Sequence, residues 1–62
     1  MMKLVAGFKF PQSGDIVHVA GRGKKLFVVK YTENGVAVLK EKKSGADAPG
    51  VSIGDVKVVT AA

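Results

Sequence analysis

The run Leu26-Phe27-Val28-Val29-Lys30-Tyr31-Thr32, then Glu33-Asn34-Gly35, then Val36-Ala37-Val38-Leu39-Lys40-Glu41 decides the fold. Two β-rich stretches flank an Asn-Gly pair, and both of those residues tolerate the positive φ that a tight hairpin turn demands. The first stretch alternates weakly, because Leu26, Phe27, Val28 and Val29 are all apolar, so both of its faces are expected to be partly covered. Such a strand belongs in the middle of a sheet. Phe27 and Tyr31 are expected to share a face with Val29, with Phe27 in the core and the Tyr31 hydroxyl left in water.

Upstream of the hairpin, Asp15 to Ala20 reads as a strand with Val17 and Val19 on one face and Ile16, His18 and Ala20 on the other. The cluster Pro11-Gln12-Ser13-Gly14 separates it from a first strand over Lys3 to Phe8, and Phe8 and Phe10 are expected to cap the barrel. Gly21-Arg22-Gly23-Lys24-Lys25 forms a loop into the central hairpin. Downstream, the composition of Lys42 to Gly50 predicts a mobile loop, followed by a very short strand at Val51 to Ile53, a turn at Gly54-Asp55 and a last strand over Val56 to Thr60.

Eleven valines, with Ile16, Ile53 and the aromatic residues, suit pleated, half-buried surfaces, and eight glycines and two prolines cut the apolar runs to strand length. These features predict an all-β chain of five or six short antiparallel strands in one domain over residues 1–62. Residues 1–13 are its N-terminal strand or arm and 14–60 its core.

A chain of 62 residues buries only about 60% of the surface it exposes when unfolded, so a modest core and a stability of a few kcal/mol are expected. With no cysteine and a single histidine, His18, neither a disulfide nor a structural metal is expected to staple it, and His18 reads as a neutral surface residue. The absence of cysteine fits a cytoplasmic protein. The segment Leu4-Val5-Ala6-Gly7-Phe8 is too short and broken for a signal sequence, and no apolar run reaches membrane-spanning length, so a soluble protein without a membrane partner is expected.

The stretch Gly14-Asp15-Ile16-Val17-His18-Val19, the glycine and lysine loop after it, and Phe27-Val28-Val29 resemble the opening of KOW-type and related SH3-like barrels of small prokaryotic proteins. Ser52-Ile53-Gly54-Asp55-Val56-Lys57-Val58-Val59 is similar to the turn and final strand that complete such barrels. After Gly23 the chain carries Lys24 and Lys25 where the KOW pattern has a further spaced glycine. The resemblance implies a small SH3-like barrel, a scaffold that serves as a nucleic-acid, peptide or subunit-interface module.

Ten Lys and Arg against five Asp and Glu give a net charge of +5, a field that attracts nucleic acid or other polyanions as well as keeping a small domain in solution. If the central strands form a meander, Arg22, Lys24 and Lys25 come to the same end of the domain as Lys42 and Lys43. That basic tip is the expected anion-binding site for an RNA or DNA backbone, with Lys30 and Lys40 as lesser contributors. The same topology is expected to gather Asp15, Glu33 and Asp55 at the opposite end. Gly21-Arg22-Gly23-Lys24-Lys25 lacks the spacing and the following helix of a nucleotide-binding loop.

No histidine stands beside a credible nucleophile and the carboxylates sit in turns, so no catalytic residue, metal, cofactor or small-molecule substrate is expected. The competing expectation is a protein partner, or a symmetric homodimer, engaged through the apolar Leu4, Phe8 and Phe10.

Overall fold

The computed structural model describes the backbone of Lys3 and Leu4 and the whole of residues 10–62. Among the described residues, six strands form one antiparallel sheet: β1 (Lys3–Leu4), β2 (Ile16–Val19), β3 (Phe27–Glu33), β4 (Val36–Glu41), β5 (Asp47–Ser52) and β6 (Val56–Ala61), in the order β1-β6-β2-β3-β4-β5. A 3-10 turn, Ile53–Asp55, joins β5 at one edge of the sheet to β6 on the far side of β2. That connection requires the sheet to curl. Ile53 N–H donates to Gly35 O at 3.0 Å and Ala20 N–H to Asp55 O at 2.9 Å, so the turn bridges the tip of the central hairpin and the end of β2. The result is a small SH3-like barrel.

The central hairpin forms where Asn-Gly predicts it, with φ of 50° at Asn34 and 76° at Gly35. Its register pairs Glu33 with Val36 at the tip and Phe27 with Glu41 at the base. Inward-facing residues from every strand from β2 to β6, together with Ile53, make a single core of Val17, Val19, Phe27, Val29, Ala37, Leu39, Ala48, Val51, Ile53, Val56 and Val58. The alternation read in β2 holds, since Val17 and Val19 are buried while Ile16 and His18 are half-buried. Strand β3 lies inside the sheet, between β2 and β4, and Phe27 is in the core as expected.

Three irregularities allow so short a sheet to curl, because each inserts an extra residue, bends its strand and increases the twist. In β3 the pairing steps from Val29↔Leu39 directly to Tyr31↔Val38, leaving Lys30 as the extra residue. Tyr31 therefore does not share the face of Val29. Val29 is inward, and Thr32 lies opposite the buried Ala37, so the two residues between them, Lys30 and Tyr31, both turn outward. A second shift falls between β4 and β5, where Ala37 pairs with Val51 but Leu39 with Ala48, and Pro49 and Gly50 are both exposed. The third falls in the β2–β6 ladder, between Ile16↔Thr60 and Val17↔Val58.

Several expectations need correction. The stretch 47–50 is the first part of β5 rather than a loop, and Ile53 begins the 3-10 turn rather than ending a strand. Poor strand formers adopt β structure here because β4 templates an edge strand, where Pro49 needs no ladder donor and Gly50, at φ 73°, supplies the bulge conformation. Phe10 is 54% exposed and caps nothing. Of the first strand, Lys3 and Leu4 pair with Ala61 and Thr60, while Val5 and Phe8 lie outside the described residues, as does the Leu4 side chain.

Asp15 is no surface charge. It is 2% exposed, accepting from Gln12 N–H at Oδ2 and from Ala62 N–H at Oδ1, both at 2.9 Å. Its backbone ties β2 to β3 through Val29 N–H to Asp15 O at 2.9 Å, beside Gly14 N–H to Val29 O at 2.8 Å. A buried carboxylate is tolerable only when hydrogen-bonded in this way. Asp55 is at the other end of β2, beside Ala20, so the expected gathering of Asp15, Glu33 and Asp55 at one acidic end does not occur.

Two stability measurements follow from these features. Asp15→Asn keeps one acceptor but sets an amide NH2 against a backbone donor, and since hydrogen bonds to charged groups are worth about 1.5–3 kcal/mol, urea titration should show a loss of that order. Wild-type stability in the Asn variant would refute the assignment. Gly35→Ala places a Cβ on left-handed backbone and should cost about 1–2 kcal/mol, seen as a fall in the thermal midpoint of roughly 4–8 °C per kcal/mol.

Candidate functional site

The basic loops meet. β2 and β4 each end at the same edge of the barrel, so the segments 20–26 and 42–46 run side by side, and Lys42 N–H donates to Leu26 O at 2.9 Å to pin one against the other. Between them lies an open cleft of about 520 Å³ lined by Lys24, Lys25, Leu26, Glu41, Lys42 and Lys43. Four of the five cations named from the sequence therefore share one concavity. Arg22 stands beside it on the first loop, exposed, with its N–H donating to Val19 O at 3.1 Å.

Each loop has a local reason for its shape. The first leaves β2 through Gly21 and Gly23, at φ of 81° and 63°, which lets the segment 20–26 reverse direction with no side chain turned into the barrel. The second is closed by Glu41 N–H to Ala46 O at 2.7 Å and Gly45 N–H to Glu41 O at 2.8 Å, with Ser44 Oγ accepting from Ala46 N–H at 3.2 Å. Lys42 and Lys43 are carried at the crest of that tight turn and are exposed.

Two members of the cleft were not singled out in the sequence. Glu41 places a carboxylate among the lysines, 3.9 Å from Lys25 Nζ, and Leu26, 37% exposed, gives the cleft an apolar element. The Lys25 side chain is 62% exposed, so this ion pair is solvent-screened and contributes little to stability. Glu41 lowers the cleft's positive charge without cancelling it, since four lysines line it with one glutamate.

Lys30 and Lys40 form a separate group on the outer face of the sheet. Lys40 lies opposite Asp47 in the ladder, and Lys30 Nζ lies 3.6 Å from Asp47 Oδ1. His18 stands opposite Lys57 on the outside of β2 and β6. Among the described residues no cluster of three His, Cys, Asp or Glu is arranged to hold a metal ion, and no helix is long and apolar enough to cross a membrane.

The arrangement is suited to binding anions. The lysines are solvated point charges suited to phosphate or carboxylate oxygens. No protein-family model, curated protein or solved structure matches this chain.

Proposed function

We propose that this protein is a nonenzymatic β-barrel module of the cytoplasm that binds the phosphate backbone of a nucleic acid, or a comparable polyanion, through the cleft between its two lysine loops. The observation that carries the reading is the Lys42 N–H to Leu26 O bond, because it holds Lys24, Lys25, Lys42 and Lys43 around one concavity instead of leaving them scattered on separate loops. The net charge of +5 and the resemblance to KOW-type barrels support the same reading. Lysines contacting phosphates release condensed counterions, so binding is strong at low salt and carries little base specificity.

A second reading, a protein partner or a homodimer, is favoured by the exposure of Phe10. The two differ in their response to salt. Contacts in water between apolar surfaces survive ionic strength that screens exposed charges beyond about 8 Å.

Fluorescence anisotropy of labelled single-stranded RNA, single-stranded DNA and duplex DNA, titrated at several salt concentrations, tests the proposal. With four phosphates neutralised by the cleft, the logarithm of affinity for single strands should fall against the logarithm of salt with a slope of about −3. Lys24→Glu/Lys25→Glu should lose more than tenfold in affinity at low salt, and Glu41→Gln should gain. Equal binding by wild type and the double variant would remove the cleft from the proposal, and no binding to any strand would favour the protein partner.

A further inference from the structure

The bulge in β3 sets two consecutive side chains, Lys30 and Tyr31, on the outer face of the barrel, where regular alternation would have buried one of them. Tyr31 is 52% exposed, a large exposure for an aromatic ring in the body of a strand. Across the ladder it faces Val38, and beyond Val38 the second bulge turns Pro49 and Gly50 outward as well. A Cβ built on Gly50 would meet nothing within 4 Å, so that end of the row is an open shelf. Lys40 follows Val38 on the same outer face, and the Lys30 ammonium reaches over the same strands to Asp47.

An aromatic ring bordered by an open apolar shelf and two lysines matches the chemistry of a nucleobase with its phosphate. The ring supplies a stacking platform that accepts any base, and the cations supply backbone contacts. The Lys30 ammonium is held by an exposed pair with Asp47, which a phosphate can replace at little cost. From the base of the hairpin, where the cleft lies, to Tyr31 is four strand residues, roughly 13 Å, or about four nucleotides at stacked spacing.

Resting on the proposed function, we infer that the ligand is a single-stranded nucleic acid that leaves the lysine cleft along the outside of β3 and β4 and stacks one base on Tyr31. A duplex keeps its bases stacked on each other and cannot offer one to the ring. Lys30 and Lys40 guide the backbone between the two sites. The pairing of an aromatic platform with surplus positive charge favours this ligand over an apolar protein surface.

The chain has one tyrosine and no tryptophan, so its intrinsic fluorescence reports Tyr31 alone. Wild type, Tyr31→Ala and Tyr31→Phe are titrated with unlabelled oligouridylate and oligothymidylate of about eight nucleotides, an abasic strand of the same length and a short duplex, with anisotropy of labelled copies run in parallel. The expected result is Tyr31 quenching by the base-bearing single strands only. Their affinity should fall at least about fivefold in Tyr31→Ala and be kept in Tyr31→Phe, while abasic-strand binding is unchanged by either. Binding by anisotropy with no quenching, and equal affinity for Tyr31→Ala, would overturn the stacking site and leave the cleft intact. Absence of any anisotropy change would overturn both. Quenching that appears on concentrating the protein alone, with a matching rise in sedimentation coefficient, would assign the Tyr31 face to self-association instead.

Discussion

Asp15 holds the barrel in register. Its backbone accepts from Val29 on one side of β2, and its carboxylate accepts from Ala62 at the end of β6 on the other, while a second oxygen closes the turn from Gln12. One residue thus fixes how β2 meets both neighbours, and a shift of one residue in either ladder would turn Val17 and Val19 out of the core. A charged group in that place is demanding because its two oxygens accept from segments as far apart as Gln12 and Ala62. An apolar residue would pack there and specify less.

Much of the architecture was legible in the sequence because it depends on local chemistry. Asn34-Gly35 announces its hairpin through backbone conformation, and the alternate valines of β2 announce their inward face through period-two patterning. What could not be read depends on distant partners. Asp15 looks like any turn aspartate until Ala62, far along the chain, is brought to it. The opening of β5, Asp47-Ala48-Pro49-Gly50, has the composition of a loop and becomes strand only because β4 offers it a ladder. A bulge leaves no mark in composition, so the outward turn of Tyr31 was hidden although the residue itself was conspicuous.

The same division applies to the candidate site. That loops 20–26 and 42–46 share an end follows from meander topology, and the sequence was enough to bring their lysines together. Their neutralising Glu41 and the half-open Leu26 enter the cleft through details of hairpin register that patterning does not resolve. The electrostatic outcome is a barrel whose five acids are dispersed: one buried, one in the cleft, one beside the outer lysines and two at turns. The positive surplus is left on the loops.

The placement of β6 between β1 and β2 has a consequence for how the chain reaches this state. Val17 must find Val58 before the barrel can close, a separation of about forty residues whose closure entropy has to be met before the contact repays it. The central hairpin can form early from neighbouring residues, but its inner face stays open to water until β6 reaches β2. Such a topology folds slowly for its size and in a single cooperative step. On a ribosome it would hold no finished core until almost the whole domain had emerged from the exit tunnel.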